Sequence, residues 1–179
     1  MNTLLENLRS INSCLDLGSW YSQENFISDD ICKSIFDEYS KREKANTFTA
    51  AAIGRNSSKV KESTIRKSSI SWVEDTDNFG GIREFNLILE QMMLSMNQYF
   101  FLSLKHFESQ VAYYIKNDFY KIHLDQFSQN ARRQVTCILY LNDCSSGGEL
   151  VIFFSGHIYH EVKIVETPRF SLSTWFRDD

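Results

Sequence analysis

The chain has 179 residues, 42% of them hydrophobic and 14% aromatic. This is enough for one domain with a substantial hydrophobic core and too few for two domains of typical size. Its net charge of −4 argues against a general nucleic-acid-binding protein, because neutralising phosphates requires a basic surface. The four cysteines form no Cys-x-x-Cys pair and predict neither a zinc site nor a disulfide framework: Cys14, Cys32, Cys137 and Cys144.

The first residues contain neither a basic region nor a sustained apolar run, and no stretch has the length needed to span a bilayer. We therefore expect a soluble cytoplasmic protein with reduced thiols, no membrane partner and no nucleic-acid partner. Residues 1–19 are polar and unpatterned, and two alternatives stay open for them, a short helix or a loosely held tail.

Residues 20–26 predict a short extended segment. Ser28 followed by Asp29 and Asp30 is typical of a helix start, and apolar residues at helical spacing predict a helix up to about Lys44. Residues 47–77 are rich in Ser and Lys and are interpreted as a loop region, in which Gly54 to Ser58 indicates a mobile loop.

The longest helical pattern follows Gly80 and Gly81 and carries a broad apolar face rich in methionine, which is typical of core packing. Beyond Leu104 the apolar period changes from 3.6 to 2. This change predicts strands near 108–115, 119–125, 134–141, 149–154, 158–165 and 169–176. We expect one α+β domain over 1–179, with helical support and a loop in 1–104 and a β-core in 105–179.

Candidate metal ligands lie in this β-core. His123 and Asp125 are two residues apart in a predicted strand, so their side chains share one face. His160 supplies a second imidazole farther along the chain. Two histidines and one carboxylate, with coordination positions left open, suit non-haem Fe(II) and its oxygen chemistry.

The chain from about Ile65 onwards resembles the Fe(II)/2-oxoglutarate-dependent dioxygenases, in their prolyl 4-hydroxylase-like branch. The stretches that carry the resemblance occur in the family's order: YIKNDFYKIHLD at 114–125, RQVTCILYLN at 133–142, GGEL at 147–150, HEV at 160–162 and RFSLSTWF at 169–176. The resemblance implies a double-stranded β-helix, a jelly-roll-like barrel supported by the N-terminal helices.

The resemblance also implies a site and its cofactors. His123, Asp125 and His160 match the catalytic metal ligands for Fe(II). Arg169 matches the cation that holds the far carboxylate of 2-oxoglutarate in a bidentate pair, with a surface ion pair as the alternative. Ser171 follows on the same strand face. The resemblance also allows ascorbate as an accessory cofactor.

Further positions match residues around the family's pocket. Tyr140 and Tyr114 match cosubstrate-side and pocket-lining aromatics, and Tyr120 matches a substrate-side one, with ordinary core packing as the alternative for all three. Arg66 matches a substrate-side arginine, with a solvated surface charge as the alternative. The remaining histidines match no ligand position and are interpreted as structural or exposed: His106 and His157.

One departure from the family pattern is the short separation between His123 and His160. The shortening falls after the GGEL segment and predicts a barrel that lacks one strand pair, with Gly147 and Gly148 closing a hairpin between the strands at 134–141 and 149–154. This arrangement would expose a sheet edge, through which two copies of the chain could pair and form an oligomer.

The sequence therefore favours an oxygenase that hydroxylates an unactivated C–H bond, most readily on a prolyl or other peptidyl side chain of a protein or peptide substrate. Two alternatives remain. One is a hydroxylase of a free amino acid or another small molecule. The other is a shortened, catalytically silent relative that acts as a binding module.

Overall fold

The structure of the protein is a computed structural model, which describes residues 9–15, 20–51, 64–126, 132–142 and 150–179. The predicted loop at 54–58, the Gly147–Gly148 turn and Cys144 lie outside the described residues. Cys14, Cys32 and Cys137 are free thiols.

Three helices occur in the described part of the chain. Residues 9–15 form α1, in which Ile11 is fully buried, so part of the polar N-terminal region is a packed helix. Helix α2 spans Asp29–Lys44 and begins as predicted, because the Ser28 side chain accepts a hydrogen bond from the Ile31 backbone. Helix α3 spans Gly80–Phe100 and ends at Phe101, which adopts the left-handed conformation. No helix within these ranges is long and apolar enough to cross a membrane.

Ten strands follow the chain in this order: β1 Trp20–Glu24, β2 Thr49–Ala50, β3 Arg66–Lys67, β4 Ser69–Trp72, β5 His106–Tyr114, β6 Phe119–His123, β7 Arg133–Tyr140, β8 Leu150–Ser155, β9 His160–Val162 and β10 Arg169–Arg177. They form a large sheet of order β1-β8-β7-β10-β5-β4-β2 and a small sheet of order β3-β6-β9. Every pairing in both sheets is antiparallel.

The main core lies between the helices and one face of the large sheet. Apolar residues of α2 and α3, such as Ile35 and Leu89, pack there with Val111, Leu139 and Leu172 of the sheet. Helical periodicity on one side and strand alternation on the other produce complementary apolar faces, which explains why the helices cover the large sheet.

A smaller cluster lies between the two sheets. It joins Ala112 and Tyr114 of β5 to Val165, with Tyr120 of β6 and Val162 of β9 packed against it. The opposite face of the large sheet is therefore turned towards the small sheet, and the polar residues that alternate with the core residues of β5, β7 and β10 are placed between the two layers.

Two sequence predictions are corrected. Residues 47–77 were expected to form a loop, but they contain β2, β3 and β4, whose two to four residues are too short to show a period. The strand expected at 158–165 is only His160–Val162. Beyond it, Val165 bonds to the backbone of Asn117 and Asp118 instead of continuing the ladder.

The shortened barrel takes the predicted form in the described residues. Consecutive strands β7 and β8 pair antiparallel from Val135 opposite Ser155 to Leu139 opposite Val151. The small sheet has three strands there, and the edge of β9 that faces away from β6 has no strand partner among the described residues.

Candidate metal and cosubstrate site

The three candidate metal ligands meet at the end of the small sheet. His123 is the last residue of β6 and lies opposite His160, the first residue of β9. Asp125 lies two residues beyond the end of β6, so the expectation that it belongs to the strand is corrected, although its carboxylate still turns towards both rings. One ligand atom from each residue lies within 4.8 Å of the other two.

A register shift in β6 shapes this site. Tyr120 lies opposite Val162 and His123 lies opposite His160, so β6 uses one more residue than β9 over the same span. Simple alternation would place Tyr120 and His123 on opposite faces, but the extra residue brings both to one face. Their rings consequently stack with centroids 3.5 Å apart.

Both imidazole rings are held by their Nδ1 atoms. His123 Nδ1 lies 2.8 Å from the Lys121 carbonyl oxygen, and His160 Nδ1 lies 3.0 Å from the Ile158 carbonyl oxygen. A carbonyl can only accept, so each Nδ1 carries the proton and donates it. Each Nε2 therefore keeps its lone pair and faces Asp125, at 3.9 Å from Oδ1 for His123 and 3.5 Å from Oδ2 for His160. This is the tautomer that a metal ligand requires.

The electrostatics agree with that protonation state. Burial, followed by repulsion from His160, lowers the pKa of the His123 imidazole to about 4. The ring is therefore neutral at physiological pH. The side chains of His123 and His160 are 14% and 19% exposed, so the open flank predicted from the sequence leaves limited solvent access to these rings.

The candidate cosubstrate residues lie together on β5, β7 and β10. Arg169 opens β10 opposite Tyr114, and Ser171 lies opposite Tyr140. The guanidinium of Arg169 is 4.7 Å from the centre of the Tyr140 ring and 5.4 Å from that of Tyr114. The structure thus brings together all four residues that the sequence assigned to this role.

Arg169 lacks an acidic partner among the described residues, and its Nε is buried without a hydrogen-bond partner there. A buried guanidinium donor that the protein leaves unsatisfied is costly unless a ligand completes it. A bound carboxylate would satisfy this group, because its two oxygens match the planar donors of arginine.

Arg66 lies beside the metal-ligand cluster. It pairs with Tyr120 between β3 and β6, and its guanidinium is 4.7 Å from the Tyr120 ring centre. It also donates to Ser68 Oγ at 3.0 Å and to Gln110 Oε1 at 3.3 Å. Arg66 is thus a half-buried side chain held next to the ring that stacks on His123, and not a fully solvated charge.

The remaining histidines lie elsewhere. His106 and His157 are exposed, and His106 faces Asp179. Among the described residues, His123, Asp125 and His160 form the single group of metal-ligating side chains close enough to share an ion.

The sequence reasoning missed two features of this region. Thr136 of β7 donates a hydrogen bond from Oγ1 to Asp125 Oδ2 at 2.8 Å. Arg133 stacks on Trp175, with Cζ 3.7 Å from the ring centre, and forms an ion pair with Glu108 at 2.7 Å. Strand alternation places Thr136 on the face of Tyr140, and Trp175 on the face of Arg169 and Ser171, but it does not indicate which side chains of other segments they contact.

The residues fit the cofactors that their chemistry suggests. Two imidazoles and one carboxylate converge at the small sheet as Fe(II) ligands do in non-haem oxygenases, and an arginine of the large sheet whose Nε has no described partner suits the carboxylate of 2-oxoglutarate.

Comparison with known proteins agrees with this chemistry. The family model described as the 2OG-Fe(II) oxygenase superfamily matches residues 109–177. The prolyl-4-hydroxylase of Pseudomonas putida superposes with a TM-score of 0.81 at 28% sequence identity, over 95% of this chain and 98% of that one.

Two more distant structures share the fold. A prolyl hydroxylase from Trichoplax adhaerens, in complex with a hypoxia inducible factor oxygen degradation domain peptide fragment, gives a TM-score of 0.85 at 18% identity, over 99% of this chain and 91% of that one. The viral collagen prolyl hydroxylase of Paramecium Bursaria Chlorella virus-1, in its 2OG complex, gives a TM-score of 0.65 at 14% identity, over 92% of this chain and 99% of that one. These structures are double-stranded β-helix proteins, the architecture expected from the sequence.

Proposed function

We propose that this chain is a 2OG-Fe(II) oxygenase of the prolyl hydroxylase-like branch and that it hydroxylates a prolyl or other peptidyl side chain, as the family match over residues 109–177 and the similarity to the Pseudomonas putida enzyme support. The observation that carries the proposal is the convergence of His123, Asp125 and His160, together with the buried Nε of Arg169, which has no hydrogen-bond partner among the described residues. Fe(II) and 2-oxoglutarate are the cofactors of such an oxygenase.

The proposed metal ligands are His123 Nε2, His160 Nε2 and one oxygen of Asp125. The Lys121 and Ile158 carbonyls hold the two rings in the tautomer that leaves Nε2 free. With three protein ligands on one side of the ion, positions remain for the cosubstrate and for dioxygen. When bound, the cofactors supply the overall reaction, in which dioxygen hydroxylates a substrate C–H bond while 2-oxoglutarate is converted to succinate and carbon dioxide.

The proposed cosubstrate pocket uses Arg169 as the carboxylate-binding cation. Ser171, which is buried on the same strand, supplies a hydroxyl, while Tyr140 and Tyr114 flank the guanidinium with their rings. These neighbours limit water around Arg169, and exclusion of water strengthens an ion pair.

The proposed substrate side is the surface formed by Arg66 and Tyr120. Tyr120 stacks on His123, and Arg66 lies over Tyr120, so a substrate that approaches along these side chains reaches the metal ligands. A peptide is favoured because the Trichoplax relative of the same fold is described with a peptide fragment, and because the Pseudomonas relative is a prolyl-4-hydroxylase.

The test is to incubate the wild-type protein with Fe(II), 2-oxoglutarate and proline-containing peptides in air. We expect one oxygen atom to be added to a peptide, read by mass spectrometry, with succinate formed alongside. His160→Ala serves as the control. Succinate formation with free amino acids but without peptide oxidation would reassign the substrate to small molecules. Succinate at the level of the control with every substrate would refute the proposed reaction.

A further inference from the structure

The hydroxyl of Thr136 is a buried donor aimed at the metal site. Thr136 is fully buried in β7, and its Oγ1 donates to Asp125 Oδ2 at 2.8 Å. Its backbone pairs with Phe154 of β8 on one side and with Trp175 of β10 on the other. A β-branched side chain on a strand that is paired on both edges has little rotational freedom, so its hydroxyl direction is fixed.

This hydrogen bond makes the two oxygens of Asp125 unequal. Oδ2 accepts a hydrogen bond from the Thr136 hydroxyl, while Oδ1, at 3.9 Å from His123 Nε2, has no hydrogen bond from a described residue. The last torsion of an aspartate side chain is broad, so an unrestrained carboxylate rotates readily. Asp125 also lies beyond the end of β6, where the strand ladder no longer orients it.

We propose that Thr136 is a positioning residue that restricts Asp125 to a single-oxygen ligand, an inference that rests on the proposed function. By holding Oδ2, the hydroxyl prevents both oxygens from turning towards the ion together. A carboxylate that bound through both oxygens would take one of the positions that 2-oxoglutarate needs. Thr136 therefore acts through Asp125 on metal affinity and on cosubstrate affinity.

The decisive variants are Thr136→Val, which keeps the shape and removes the donor, and Thr136→Ser, which keeps the donor. Thr174→Val is the matched control, because Thr174 is also fully buried, lies in the neighbouring strand β10, and bonds through its hydroxyl to Ser109 at 2.8 Å. Any loss common to Thr136→Val and Thr174→Val would reflect removal of a buried hydroxyl in general.

The measurement is Mn(II) binding to metal-free protein by calorimetry, with 2-oxoglutarate binding then measured at saturating Mn(II). We expect Thr136→Val to weaken Mn(II) binding about 10- to 100-fold, the range typical for the loss of a group that orients a metal ligand, and also to weaken 2-oxoglutarate binding. Thr136→Ser should restore both affinities, and Thr174→Val should leave both unchanged. Electron paramagnetic resonance of bound Mn(II) should differ from wild type only in Thr136→Val.

Several outcomes would overturn the inference. Wild-type affinities in a folded Thr136→Val protein would do so while leaving the proposed function intact. A failure of Thr136→Ser to restore binding would assign Thr136 a packing role. If Thr136→Val does not fold, Thr136→Ala, which also removes the donor, takes its place, and unchanged Mn(II) affinity there would overturn the inference equally. Absence of Mn(II) binding in the wild type would refute both proposals together.

Discussion

At the scale of single residues, each candidate metal ligand already has its orientation set by a neighbour, through a backbone carbonyl or a threonine hydroxyl. His123→Ala or Asp125→Ala should therefore abolish measurable Mn(II) binding, because two ligands hold a first-row divalent ion poorly. Calorimetry provides the measurement. His157→Ala, which removes an exposed histidine outside the site, should bind Mn(II) as wild type does. Unchanged affinity in both ligand variants would disprove the ligand assignment.

Arg169 leads to a second prediction at this scale. Arg169→Ala should raise the concentration of 2-oxoglutarate needed for succinate production. The binding free energy of 2-oxoglutarate should weaken by about 2–5 kcal/mol, since truncating one partner of the pair leaves a buried carboxylate unpaired. Mn(II) affinity should stay close to wild type. Arg132→Ala is the matched control, because Arg132 is an exposed arginine with an ion pair to Asp178. An equal dependence of succinate production on 2-oxoglutarate concentration in the two variants would show that Arg169 does not bind the cosubstrate.

At the scale of elements, Gly156 ties the metal-ligand segment to the large sheet. Its backbone N–H donates to Gln134 of β7, and its carbonyl accepts from Gln126, the residue after Asp125. A Cβ on Gly156 would lie 2.3 Å from the Arg133 carbonyl oxygen, so an added methyl group forces the backbone apart.

We expect Gly156→Ala to lower the free energy of unfolding by about 1–3 kcal/mol, as overpacking does, and to weaken Mn(II) binding as well. Urea unfolding and calorimetry measure the two effects. Gly80→Ala is the control, because a Cβ at that position meets no atom within 4 Å and alanine favours the helix that begins there. A Gly156→Ala protein as stable as Gly80→Ala would show that β7 and β8 separate without cost.

The sequence could predict the long elements but not the local geometry of the site. Helices α2 and α3 and the order of strands β5 to β10 were predictable, because their apolar periods extend over many residues. The register shift in β6 was not, since one extra residue leaves no mark on composition, yet it determines that Tyr120 stacks on His123. The contact between Thr136 and Asp125 joins β7 to the segment after β6, so it depends on tertiary packing that the sequence pattern does not show.

At the scale of the whole molecule, a partly buried ion pair links helix α2 to the segment that precedes α3. Arg42 donates two hydrogen bonds to Asp77, at 2.6 and 3.1 Å, and Tyr39 donates a third. Burial alone would raise the pKa of the Asp77 carboxyl, but the hydrogen bonds from Arg42 and from the Glu74 backbone outweigh it and lower the pKa below the ordinary value of 3.8.

The Asp77 carboxylate therefore contributes stability that is complete above its unfolded pKa and is lost as the pH falls through the lower folded value. Asp77→Asn should reduce the free energy of unfolding by about 1–3 kcal/mol at neutral pH, and the difference from wild type should shrink in acid. Chemical unfolding across a pH series tests this. Asp37→Asn, which removes an exposed ion pair with Lys33, should cost at most about 0.5 kcal/mol. A difference independent of pH would assign the effect of Asp77 to packing alone.

The place of β1 at the edge of the large sheet has a consequence for how the protein is made. Trp20 lies opposite Phe154, so β1 pairs with a strand that lies far later in the chain. Until β8 has been synthesised, β1 cannot form its strand pairing in the large sheet. Bringing two such distant strands together costs conformational entropy before their contacts form. The sheet that carries Thr136 and Arg169 is therefore complete only after β8 has been synthesised. Growth conditions that slow translation or add a chaperone should accordingly increase the yield of active protein.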